Sequence, residues 1–171
     1  MVSLWGFTIL VGMLATQRLW ELKRSQRNEI KMQQQGGYEC FPKHYCLMVV
    51  LHISWFAVML VEVWYLRNVP SLWLMLVALL GLLAGQVLRY LSILTLSERW
   101  SVRIYVVPNE PLIQHGIYRF VRHPNYLGVI LELACVPLIH AAYGTAFVWS
   151  LANFFLLRHR IRLEELALNE N

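Results

Sequence analysis

Hydrophobic residues gather in four long stretches, roughly 1–17, 45–66, 69–97 and 124–157, with polar and charged residues confined mostly to the segments between them. About 20 apolar residues in helical conformation cross a bilayer, so the first three stretches predict one crossing helix each. The last is interrupted near Pro137 and at Tyr143-Gly144. Such breakers inside an apolar run predict a tight helical hairpin with two crossings of roughly 17 residues each. The fold expected is an all-α integral membrane protein of about five transmembrane helices, with a polar cytoplasmic segment between helices 3 and 4 and a C-terminal helical hairpin.

Charge orients this arrangement. Arg18, Lys23, Arg24, Arg27, Lys31 and Lys43 follow the first stretch, Arg99, Arg103, Arg119 and Arg122 follow the third, and Arg158, Arg160 and Arg162 follow the last. The turn near Arg67-Asn68-Val69-Pro70 has a single base, and the predicted hairpin turn has none. By the positive-inside rule the basic loops are cytoplasmic, which puts the N-terminus outside and the C-terminus inside. With no base before Arg18, the first stretch lacks the positive start of a secretory signal and is expected to remain as a helix.

Composition narrows the function classes. With 58% hydrophobic and 15% charged residues, the chain does not fit a disordered tail or an ordinary soluble domain. Its net charge of +5 is spread over several loops, which suits a membrane-facing basic side and argues against a nucleic-acid partner. Three cysteines give no disulfide framework. Cys40, His44, Cys46 and His52 lack zinc-ligand spacing, so no metal is expected. Gly81 and Gly85 have small-xxx-small spacing, which serves helix packing within one chain or a dimer seam and leaves the oligomeric state open.

There is no Gly-rich nucleotide loop and no His-Glu-x-x-His pair. The segment from Pro108 to Gly128 is too rich in proline and polar residues to span, yet leads directly into an apolar helix. Pro124 suits the first turn of that helix and pushes His123 toward an extended conformation. The helix end can hold an anion or carboxylate with Arg119, Arg122 and His123 around it, or the arginines simply snorkel. Arg160 and Glu164, spaced i,i+4, share a helix face and can meet one ligand, or form a solvated surface pair. Glu62 and Glu132 lie within predicted crossings, where an ionisable group is a functional candidate unless it is a paired packing residue. Glu132 follows Asn125 and Gly128 at helical spacing and is placed near the same cavity.

Arg122-His123-Pro124-Asn125-Tyr126, followed about forty residues later by Arg160 and Glu164-Glu165, resembles the isoprenylcysteine carboxyl methyltransferase family from about residue 100 to the end. The N-terminal half, including His44-Tyr45 and His52, is more similar to small bacterial members that methylate alkylpyrone or alkylresorcinol lipids. The resemblance implies one membrane methyltransferase domain over 1–171, with three crossings in 1–97 and the cofactor-binding and catalytic part in 98–171. It implies S-adenosylmethionine as cofactor, contacted by Pro111, Leu112, Ile113, Tyr118, His123, Pro124, Asn125, Tyr126 and Glu164. Arg160 and Glu164 are the implied catalytic pair, Arg160 acting on the substrate. Arg103 stands where the family's eukaryotic members have a cofactor-touching glutamine.

The implied activity is O-methylation of a hydroxyl or carboxylate on a lipophilic small-molecule acceptor such as an alkylpyrone or alkylresorcinol. The implied setting is a bacterial inner membrane, with membrane lipid around the chain and the active site facing the cytoplasm. Carboxyl methylation of isoprenylcysteine and N-methylation of a phospholipid are the enzymatic alternatives, and a small membrane scaffold is the non-enzymatic one. Methyl transfer from a sulfonium is an in-line displacement that needs positioning and a water-shielded site. A carboxylate or acidic enol arrives already ionised, which suits a sequence with no obvious catalytic base.

Overall fold

The computed structural model describes residues 3–169. Five helices, α1 (Leu4–Gln34), α2 (Pro42–Leu66), α3 (Leu72–Leu96), α4 (Pro124–Leu138) and α5 (Tyr143–Asn169), carry most of the chain. The departure from an all-helical architecture is a short antiparallel ribbon of β1 (Tyr38–Cys40) and β2 (Ile104–Val106). Both α2 and α3 are long and apolar enough to cross a membrane. At 15 residues α4 is about 22 Å long, shorter than a bilayer core. Phe7, Trp55, Met59, Leu82, Leu133 and Val136 from four helices meet in the main core. Apolar side chains such as Ile53, Val77, Leu80 and Phe154 point outward. Trp5, Tyr65, Trp73 and Tyr143 are exposed at the end of the bundle where α1, α3 and α5 begin and α2 ends. An outward apolar belt rimmed by aromatics is the surface a lipid bilayer calls for.

Helix α1 runs much further than its apolar stretch. The polar segment that reads as a link is helical to Gln34, because Glu21, Ser25, Asn28 and Met32 recur every three or four residues and are buried against the segment after α3. A Schellman motif ends it: Gly36, at φ +84, donates to Gln33 O (3.0 Å), and Gly37 donates to Met32 O (2.8 Å).

The close approach of α3 and α4 explains the glycines. A Cβ on Gly81 would stand 2.4 Å from Cys135 Sγ, and one on Gly85 would stand 3.0 Å from Gly128 O. The small-xxx-small stripe therefore packs within the chain.

The α4–α5 hairpin forms as expected, with its turn at 139–142 rather than at Pro137, which sits in the last turn of α4, or Tyr143-Gly144, which opens α5. Glu62 reaches this turn from α2. Its carboxylate accepts from Gly144 N (2.9 Å), Thr145 N (2.7 Å) and Thr145 Oγ1 (2.6 Å). A carboxylate on the free N–H groups of a helix start is a cap that also complements the helix dipole. Glu62, a functional candidate by its place in an apolar run, is thus occupied in holding the hairpin.

Candidate active site

The segment after α3 is fastened to α1 before it reaches the site. Asn28 Nδ2 donates to Ser97 O (2.9 Å) and Trp100 O (2.8 Å), and Val102 N donates to Ser25 Oγ (2.9 Å). Arg103 Nη1 donates to both oxygens of Glu39 (2.9 and 2.8 Å), and its guanidinium lies 4.4 Å from the Tyr45 ring centroid. Arg103 therefore braces the β-ribbon against α2 and is not among the residues lining the cavity described next.

A cavity of about 390 Å³ opens between α1, α2, the second half of α3, the start of α4, the C-terminal half of α5, residues 100–102 and Tyr118. Tyr126 is its organising residue. The Tyr126 hydroxyl donates to the Glu164 carboxylate and accepts from Arg160 Nε (2.9 Å). Arg160, 5% exposed, also donates from Nη2 to Val102 O (2.6 Å), while Nη1 makes no hydrogen bond among the described residues. The i,i+4 pair is thus joined through a tyrosine of another helix. The His123 ring stacks on Tyr126 at 5.5 Å and 16°, with Nε2 3.5 Å from Glu165 Oε1.

Asn125, one residue into α4, has its Oδ1 buried without a hydrogen-bond partner. An orphaned buried acceptor costs about 1–3 kcal/mol unless a ligand or water supplies a donor. Tyr118 closes another side. Burial pushes its phenol up to about 12, against a hydrogen bond with Ser92, and the Glu164 charge adds to the rise. The group stays neutral in any ordinary buffer.

Of the residues singled out in the sequence, Tyr118, His123, Asn125, Tyr126, Arg160 and Glu164 line this cavity together. Pro124 is buried at the start of α4, beneath the lining. Pro111, Leu112 and Ile113 do not reach the cavity. Pro111 and Leu112 are exposed on the connecting loop, where Pro111 O accepts from Arg99 Nη1 (2.7 Å).

Sequence reasoning placed Glu132 near this cavity but missed the charges that it pairs with. Arg18, Glu21 and Arg89 line the cavity, backed by Glu132. Glu21 pairs with Arg18 (2.7 Å) and Arg89, and Glu132 pairs with Arg18 and stands 3.5 Å from Arg89 Nε. Gln86 Nε2 donates to Glu132 Oε1 (2.7 Å), and Gln17 Nε2 donates to Gln86 Oε1 (2.8 Å) and Glu21 Oε1 (3.1 Å). A Cβ on Gly128 would stand 2.5 Å from Arg89 Cγ, so the bare glycine is what lets Arg89 pass between α3 and α4. The available signal was an arginine well inside the apolar helix α3. Among the described residues, no three potential metal ligands converge.

Residues 75–170 match the sequence profile described as the isoprenylcysteine carboxyl methyltransferase (ICMT) family. The chain belongs to that family. Its match begins in α3 and takes in every side chain of the Tyr126–Arg160–Glu164 cluster. Over 164 residues the chain is 37% identical to the uncharacterized protein YpbQ of Bacillus subtilis, covering 96% of this chain and 97% of that one. It is 26% identical over 142 residues to protein-S-isoprenylcysteine O-methyltransferase A of Arabidopsis thaliana, covering 75% and 65%. A probable protein-S-isoprenylcysteine O-methyltransferase of Oryza sativa subsp. japonica is 32% identical over 102 residues, 55% of this chain and 50% of that one. No solved structure matches. ICMT relatives are methyltransferases by name, and the membrane character of this member agrees with its apolar helices.

Proposed function

We propose that this ICMT-family member is an integral-membrane methyltransferase that uses S-adenosylmethionine to O-methylate a lipophilic acceptor. The acceptor class is a hydroxyl or carboxylate on a long-chain compound such as an alkylpyrone or alkylresorcinol. The setting is a bacterial inner membrane crossed five times, with the N-terminus outside and the cavity facing the cytoplasm. The observation that carries this reading is Tyr126 joining Glu164 and Arg160 within one half-enclosed cavity.

The residues fit the cofactor. A cavity of about 390 Å³ lies within the range of small-molecule sites. Asn125 Oδ1 awaits a donor, and Glu164, bound to Tyr126 through Oε2, keeps Oε1 for an ammonium or ribose hydroxyl. The stacked His123 and Tyr126 rings offer a π-face to a cation. When bound, the cofactor supplies an electrophilic methyl group on a sulfonium. Arg160, fixed by Tyr126 and Val102, presents its remaining donors to an oxygen of the acceptor. The apolar residues Phe56 and Val129 exclude water from the same space. The names of the plant relatives favour a prenylated carboxylate as the second reading.

Titration with S-adenosylhomocysteine and a labelled-methyl assay on lipid extract test the reading. Glu164→Gln is expected to weaken cofactor binding at least about tenfold, or 1.4 kcal/mol. Arg160→Ala is expected to bind the cofactor yet turn over slowly. Wild-type behaviour in both variants leaves the pair a packing role only. Reporter fusions after Glu29 and at the C-terminus should read cytoplasmic, and one at Asn68 external.

A further inference from the structure

His52 lies on α2 and lines the same cavity as Arg160 and Glu164. Its Nδ1 is 2.8 Å from the carbonyl oxygen of Met48, one helical turn earlier. A carbonyl oxygen has no proton to give, so Nδ1 carries the hydrogen and donates it. In the neutral ring Nε2 then holds a lone pair. Nε2 makes no hydrogen bond among the described residues, although the side chain is largely enclosed. Of the other proton-accepting side chains of the cavity, Glu21 is engaged by Arg18 and Arg89 and His123 by Glu165, while Glu164 is bound by Tyr126 through one oxygen and holds the other for the cofactor in this reading. A free lone pair on a residue that lines this cavity accepts from an O–H and offers nothing to a carboxylate.

Building on the methyltransferase reading, we propose that His52 is the general base for this protein and that the acceptor is an un-ionised hydroxyl of a lipophilic compound. The hydroxyl binds with its proton toward His52 Nε2 and its oxygen facing the methyl carbon. As the O–C bond forms, the C–S bond breaks and its electron pair stays on sulfur, which becomes a neutral thioether. The O–H proton passes to Nε2, giving an imidazolium whose Nδ1–H still donates to Met48 O, and is later released to water. The sulfonium's positive charge is thereby balanced by one proton leaving, and no oxidant or further reactant is needed. General base catalysis of this kind contributes about 10²–10⁴-fold.

Three readouts test the assignment. In protein labelled with ¹⁵N-histidine, His52 is expected to show a protonated Nδ1 and a bare Nε2. The Nε2 resonance should shift on adding a long-chain phenol and stay in place with a carboxylate of the same chain length. His52→Gln retains a hydrogen-bond acceptor but takes up no proton. That variant is expected to lose at least about thirtyfold more turnover with the phenol than with the carboxylate, its S-adenosylhomocysteine affinity reporting an intact fold. Equal losses with both acceptors, a protonated Nε2 at rest, or no response to the phenol overturns the proposal. Failure of the wild-type protein to bind S-adenosylhomocysteine, with the expected histidine spectrum, instead overturns the methyltransferase reading on which it rests.

Discussion

The Arg18–Glu21–Arg89–Glu132 group and the Arg160–Tyr126–Glu164 group share one cavity, and both take charge out of water. The first is nearly closed: two guanidiniums face two carboxylates, Gln17 and Gln86 take up remaining oxygens, and Arg89 Nε, 3.5 Å from Glu132 Oε1, is the one buried atom of the group without a hydrogen bond among the described residues. The second is open. Arg160 keeps Nη1, Glu164 keeps one oxygen, and Asn125 beside them has an acceptor with no partner. Burial alone, then, does not mark the functional ions of this protein. What separates the two groups is whether each charge is matched by an opposite one within the chain or keeps donors and acceptors for a ligand.

The sharpest way to break that contrast is to open the closed group. Removing one partner from a buried ion set leaves an uncompensated charge and costs about 3–5 kcal/mol. Arg89→Met is therefore expected to lower unfolding stability in detergent by about that amount. Adding Glu132→Met to the same protein leaves Arg18 facing Glu21, i,i+3 on one helix, and should recover most of the loss. A double mutant no more stable than the single would show that charge closure is not what the group provides.

Arg160→Ala should cost less stability, about 1–2 kcal/mol, because Tyr126 keeps Glu164 and the half-buried carboxylate can be hydrated. Its main effect falls on turnover. Arg160→Lys retains charge but lacks the planar fork, so partial rescue in the methyl-transfer assay is expected. Full rescue would mean that charge alone suffices at this position.

The smallest effect concerns Tyr118. Its folded value of about 12 lies above the ordinary 10.0, so the folded state holds its proton longer. Any stability linked to it is fully present below pH 10 and is lost as pH rises toward 12. Tyrosinate absorbance should contain one late-rising component that disappears in Tyr118→Phe.

The parts of this architecture that follow from local pattern were legible. Pro124 starts a helix, the run to Leu157 folds back on itself, and Arg160 and Glu164 share a face. What pairs across helices was not. Nothing local to residues 18, 21, 89 and 132 indicates that their side chains meet, and three-residue strands are too short to leave a periodicity. The polar half of α1 was misleading because its apolar content is low. Its helix is held by polar anchors such as Asn28, which binds backbone carbonyls across the gap. Glu62 had the signature of a functional acid and is a cap, since the helix start it serves lies 82 residues further along the chain. Pro111, Leu112 and Ile113, placed at the cofactor by resemblance, sit outside the cavity because their loop turns away toward Arg99.

The closed charge group also bears on how the chain is made. Its members are spread over α1, α3 and α4, which leave the ribosome in that order. After α1 the formal sum of Arg18 and Glu21 is zero; after α3 it is one positive charge, from Arg89; it returns to zero only when Glu132 arrives in α4. The nascent protein therefore reaches the lipid with a half-finished electrostatic lock. Docking of the C-terminal hairpin, delivering Glu132 against Gly85 and Arg89, is the step that commits it to the finished bundle.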